Sequence, residues 1–118
     1  MLNTRQIARR FQKKTNFEIT VKPKGKGDTD FFELKNHKHG ITKGREPPMT
    51  LHLVSSHPDA EKLRGDFWIH RPVGSGQEHV VTAHYNGSLS ISAKEITKKE
   101  LAFALAQARI LHRIMRSK

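Results

Sequence analysis

The stretch from Thr97 to Arg116 limits what this chain can become more than any other. No Gly or Pro interrupts it, and its Leu, Ala, Gln, Arg and Met residues are strong helix formers. Thr97-Lys98-Lys99-Glu100 fits a capping box, in which the Thr97 hydroxyl accepts from the Glu100 amide and the Glu100 carboxylate reaches back. Winding at about 100° per residue lines up Leu101, Ala104, Leu105, Ala108, Leu111 and Met115 in one apolar stripe. Phe103, Ile110 and Ile114 flank that stripe, and Lys98, Arg109, Arg113 and Arg116 take the opposite side. A helix so apolar on one side and so basic on the other must lie against something. The rest of the chain should supply the sheet it covers.

It does, in short pieces. Asn3 to Thr15 reads as a first helix, with Asn3 and Gln6 as its cap, a narrow Ile7, Ala8 and Phe11 stripe, and Arg5, Arg9 and Lys13 on a wet face. Its Thr4–Phe11 segment resembles the first helix of a helix-turn-helix, but Phe17, Ile19 and Val21 then alternate as a strand where a recognition helix would have to be. Pro23 ends that strand, residues 24–28 form a turn, and Asp30 to Leu34 returns as the second arm of a hairpin. Residues 35–48 read as a long polar loop broken by Gly40, Gly44, Pro47 and Pro48. Strands follow at Thr50–Ser55, Asp66–Arg71, His79–Tyr85 and Ser88–Ser92. His57-Pro58-Asp59 starts a helical turn closed by Gly65, Pro72 to Gly76 is a turn, and Asn86-Gly87 is a hairpin turn. The expected fold is α+β, one domain over 1–118: an antiparallel β-meander of five or six strands flanked by an N-terminal helix and a long C-terminal amphipathic helix.

Charge narrows the partners. Residues 1–50 carry 12 Lys/Arg against 5 Asp/Glu, residues 97–118 carry 6 against 1, and the middle carries 4 against 5, within a net charge of +11. The basicity belongs to the two ends, and a polyanion is the expected partner. Arg5, Arg9 and Lys13, then Lys22, Lys24 and Lys26 on the hairpin, Lys38, Lys43 and Arg45 in the long loop, and Lys98, Lys99, Arg109, Arg113 and Arg116 form the expected nucleic-acid contacts. DNA and RNA are not distinguished by these features, and the oligomeric state is open. Trp68 and Tyr85 offer rings for stacking unpaired bases, with Trp68 better explained as sheet packing. The chain has no Cys, so disulfides and thiolate metal sites are excluded. No apolar run reaches the roughly 18 residues of a membrane span, and no apolar segment follows the N-terminal cations as in a secretory signal. A cytoplasmic protein with no membrane partner and no cofactor is the expectation.

Several shorter patterns compete with binding. Glu33-Leu34-Lys35, after Asp28 and Asp30, resembles the acid and Glu-x-Lys pair of restriction-endonuclease-like nucleases. That family sets its two acids on successive strands, whereas Asp30 stands three residues before Glu33, so the triplet reads as a charged strand end. His57-Pro58-Asp59 matches the tripeptide of J-domain co-chaperones, but strands rather than helices surround it. The eight His residues, among them His37, His39, His52, His70 and His84, show no usual zinc spacing. A helix leading into a meander resembles the plan of barnase and RelE-like toxin ribonucleases, which implies a metal-independent ribonuclease drawing on His70, Arg71, His79, His84 and Tyr85. The helix–meander–basic helix order also resembles double-stranded RNA-binding domains, with Lys98 and Lys99 meeting phosphates, although the strands here are more numerous. The third reading is a protein-interaction module, an inhibitor or assembly factor, whose basic face meets an acidic protein. Phosphate-backbone binding of nucleic acid is preferred over both, and enzymatic activity is not the leading expectation.

Overall fold

A computed structural model describes residues 2, 4–21, 30–42, 44–55 and 67–116. The elements run α1 (Thr4–Lys14), β1 (Glu18–Val21), β2 (Asp30–Lys35), β3 (His37–Lys38), β4 (Ile41–Thr42), β5 (Thr50–Ser55), β6 (Phe67–Val73), β7 (Gly76–Ala83), β8 (Leu89–Ile91) and α2 (Lys98–Arg116). Six strands form one sheet in the order β1-β2-β5-β6-β7-β8, every neighbour antiparallel, and β3 and β4 pair by themselves. The α+β meander between two helices is the architecture the sequence predicts. Among the described residues no helix is long and apolar enough to cross a membrane.

Alternation along the strands divides the sheet into two faces. Phe32 and Leu34, Leu51 and Leu53, Phe67 and Ile69, and Val81 and Ala83 turn inward and are buried. Both helices cover this inner face. α1 lays Ile7, Ala8 and Phe11 over β1, β2 and β5; α2 lies over β6 and β7, and the helices meet side by side. Phe17 joins the two, with its ring 5.3 Å from Phe11 and stacked 6.2 Å from Phe103. The Thr15 hydroxyl donates to the Phe11 carbonyl at 2.8 Å, and the Ile19 amide donates to the Gln12 side chain at 2.9 Å, which turns the end of α1 directly into β1.

The α2 cap forms as expected: the Glu100 amide donates to Thr97 Oγ1 at 3.1 Å and the Thr97 amide to Glu100 Oε1 at 3.3 Å. The apolar stripe, however, is rotated from its predicted centre. Ala104, Gln107, Ala108, Leu111, His112 and Ile114 are the buried residues, whereas Leu101, Leu105 and Met115 are only partly covered. A helix that packs on a sheet below and a second helix beside it buries two adjoining strips, so its covered arc is not centred on the most apolar residues.

Two further expectations change. The predicted loop over 35–48 contains the β3–β4 hairpin, whose turn places both His39 and Gly40 at positive φ, 52° and 81°, the type I′ pattern. Asn36 closes this excursion: its side chain donates to the Pro47 carbonyl at 2.9 Å and accepts from the Met49 amide at 2.8 Å. Pro72 does not end its strand, because β6 and β7 continue to Val73 and Gly76 around a two-residue turn with Gly74 at φ 57°. The hairpin turn at Asn86-Gly87 joins β7 to β8 as expected, with the Gly87 amide donating to the His84 carbonyl and the His84 amide to the Ser88 carbonyl, each at 3.0 Å. The expected Asn3 cap, the turn over 24–28 and the helical turn at His57-Pro58-Asp59 lie outside the described residues.

Candidate nucleic-acid interface

Folding sorts the charge by layer. α1 carries Arg5, Arg9, Arg10, Lys13 and Lys14 with no acid, and α2 carries Lys98, Lys99, Arg109, Arg113 and Arg116 with Glu100 alone. Strands β1 to β8 hold Glu18, Asp30, Glu33 and Glu78 against Lys35, Lys38 and Arg71. The helical layer is therefore +9 and the strands −1. Of the predicted contacts, Arg5, Arg9, Lys13, Lys98, Lys99, Arg109, Arg113 and Arg116 are all exposed on this layer. Helical spacing sets them on the side away from the buried residues of each helix, so the sheet does not shield them.

The one acid of the layer is already engaged. Arg71 reaches from β6 with its Nε 2.7 Å from Glu78 Oε1 and its Nη1 3.3 Å from both Glu100 oxygens, and it also donates to the Glu95 carbonyl. Burial pushes the Glu100 carboxyl up, but its bonds from Thr97 and Arg71 outweigh that and hold it below the usual range. Arg71 thus ties β6 and β7 to the start of α2, a structural task rather than a phosphate contact.

Lys38 and Arg45 are exposed but stand apart from the helices, Lys38 on the β3–β4 hairpin. That hairpin, Lys35, Thr20 and Gln77 border a cavity of about 770 Å³ on the opposite side of the sheet. Lys22, Lys24, Lys26 and Lys43 lie outside the described residues. At the far end of α2, Arg109, Arg113 and Arg116 form one wall of a groove of about 460 Å³ facing Tyr85 and Leu89.

The outer face of the sheet gathers a second group. Cross-strand pairing puts Glu33 opposite His52, His52 opposite Trp68, and His70 opposite His79. The three imidazoles form a row, His52 to His70 at 4.7 Å and His70 to His79 at 5.0 Å between ring centroids. One end is held by Glu33, whose Oε2 accepts from His52 Nε2 at 2.9 Å, and the other by Thr82, whose hydroxyl is 2.6 Å from His79 Nε2. His70 Nε2, in the middle, is buried without a partner. Burial first, then the neighbouring His52 and His79 charges, push His70 down to about 4. Burial raises the Glu33 carboxyl, yet bonds from His52 and Thr20 and the Lys35 ammonium 3.5 Å away bring it below its usual value. Trp68 stands on this face 6.4 Å from His79 and remains 36% exposed.

Of the residues tied to ribonuclease chemistry, only His70 and His79 come together. Arg71 points to the helix side, and His84 bonds Ser90 at 2.7 Å beyond the end of β7. His52 was not among them, and its pairing with Glu33 could be found only from the β2–β5 register. Among the described residues no three His, Asp or Glu side chains are placed to hold a metal ion. No protein-family model, curated protein or solved structure matches the chain.

Proposed function

We propose that the protein binds nucleic acid by laying its helical layer along the phosphate backbone. The observation that carries this reading is the segregation of ten Lys/Arg and a single, already paired acid onto two adjacent helices. Exposed cations at helical spacing follow a chain of phosphates and release its counterions on binding. Neutralising about five phosphates gives a slope of log affinity against log salt near −4.5 for duplex DNA and about −3.5 for a single strand. Replacing Arg5, Arg9 and Lys13 together by Gln should reduce the duplex slope by up to about 2.7 while leaving the melting temperature nearly unchanged, because all three are exposed. An interaction indifferent to salt, or none at low salt, refutes the reading.

A metal-independent ribonuclease is the second reading, and the row of His52, His70 and His79 with Glu33 is what favours it. A carboxylate-held imidazole is suited to general-base work and a second imidazole to protonating the leaving group. The row lies across the sheet from the helical cations, so its phosphate anchor would be Lys35. Incubation with labelled RNA and chelator decides: cleavage lost in His52→Ala or His79→Ala with folding intact establishes the enzyme, and intact RNA removes it.

A further inference from the structure

The groove between the β7–β8 turn and the end of α2 has the make-up of a site for one unpaired nucleotide. Its basic wall is Arg109, Arg113 and Arg116, at positions i, i+4 and i+7 of one helix, with Arg109 and Arg113 about 6 Å apart along the axis. Its other wall is Tyr85, 47% exposed, with Leu89 beside it. Among the described residues no acidic side chain lines it. An aromatic ring and a row of guanidiniums lining one groove are what a base and its flanking phosphates need, because the ring stacks the base while the cations hold the backbone.

The aromatic wall is built rather than loose. His112, buried within α2, donates through Nε2 to the His84 carbonyl at 2.8 Å and so fastens the turn to the helix. Asn86 Oδ1 accepts from the Ser88 amide at 3.0 Å and the Ser88 hydroxyl at 2.7 Å. Gly87 holds φ at 93°, a conformation a side chain would strain, and nothing stands within 4 Å of where its Cβ would be. Tyr85 is thus carried on a turn held by these bonds, and ordering it on binding costs little conformational entropy.

A base paired inside a duplex cannot leave its stack to enter such a groove without paying for unpairing. We propose that this groove receives an unpaired base on Tyr85, with phosphates on Arg109 and Arg113, and that the ligand of the helical layer is single-stranded nucleic acid. This rests on the phosphate-binding reading and adds its ligand class.

The test is fluorescence anisotropy with labelled oligo-dT, oligo-U and a duplex of equal length, each over a salt series. Wild-type protein should bind at least one strand more tightly than the duplex, and the tighter strand identifies the sugar. Tyr85→Ala should weaken strand binding by about 5- to 150-fold, the range for one base–aromatic stack, with the salt slope unchanged because no charge is lost. Tyr85→Phe should keep most of the affinity, and Arg113→Gln should lower the strand slope by about 0.7. A second measurement needs no variant: titrating the wild type with the strand should shift the amide resonances of Tyr85 and Gly87. Equal affinity for strand and duplex, or resonances that stay still at saturation, overturns the inference and leaves phosphate binding standing. Absence of binding to every oligonucleotide at low salt removes both.

Discussion

Acid should loosen this fold through the middle of its outer face, and the size of the effect can be worked from His70. In the unfolded chain that imidazole titrates near 6.5, whereas in the fold it is pushed down to about 4. The folded state therefore favours the neutral ring. Its contribution is fully present above pH 6.5 and is lost as the pH falls towards 4, where the unfolded chain binds a proton that the folded one refuses. The gap corresponds to at most about 3 kcal/mol by pH 4. Because the ring is only half-buried, solvent screening reduces this to about 1–3 kcal/mol. Urea unfolding followed by circular dichroism between pH 7.5 and 4 measures it, with His70→Phe as the comparison. The Phe ring keeps the contacts with His52 and His79, removes the titrating group, and leaves no donor or acceptor stranded, since His70 Nε2 has no partner. Wild type should lose about 1–3 kcal/mol more than the variant across that range. Parallel losses in the two proteins refute the assignment of acid sensitivity to His70.

Leu111→Ala should cost about 2–5 kcal/mol, because Leu111 is fully buried on the inner side of α2, and Leu105→Ala should cost less because Leu105 is only partly covered; denaturant unfolding ranks them, and Arg113→Ala should fall within about 0.5 kcal/mol of wild type. Asn36→Ala should cost about 1–3 kcal/mol by leaving the Met49 amide without its acceptor, and faster hydrogen exchange at that amide would show the excursion from β2 to β5 opening.

How much of this could be read beforehand depends on how local each determinant is. The α2 cap and the alternation of Phe67, Trp68, Ile69 and His70 depend on neighbours a few residues away, and both were legible. The rotated stripe was not, because it depends on where α1 lies beside α2. Asn36 hid a hairpin inside an apparently featureless polar stretch, since its bonds span 11 and 13 residues. The imidazole row is the clearest case. Ile69 pairs with Val81, so regular pairing would set His70 opposite Val80; a bulge at Val80 puts His79 there instead. One extra residue in β7 brings His79 onto the face of His70, and nothing in the local sequence announces it. The basic residues of the helices were legible because helical spacing alone turns them away from the apolar stripe, and the fold adds that both helices share one side of the sheet.

The position of α2 after every strand has a consequence for how the protein comes to be made. During synthesis the strands can pair as successive hairpins, each closing over a short span of chain. Their inner face, with Phe67, Ile69 and Val81, has no cover on the β6–β7 side until Leu111 and Ile114 arrive. The nascent sheet is thus an adhesive surface until α2 has been added and has emerged from the ribosome, and chaperone binding should be strongest in that interval. Arrested ribosomes displaying chains that stop just short of Lys98 provide the measurement, with chaperone crosslinking expected there and lost once α2 has emerged.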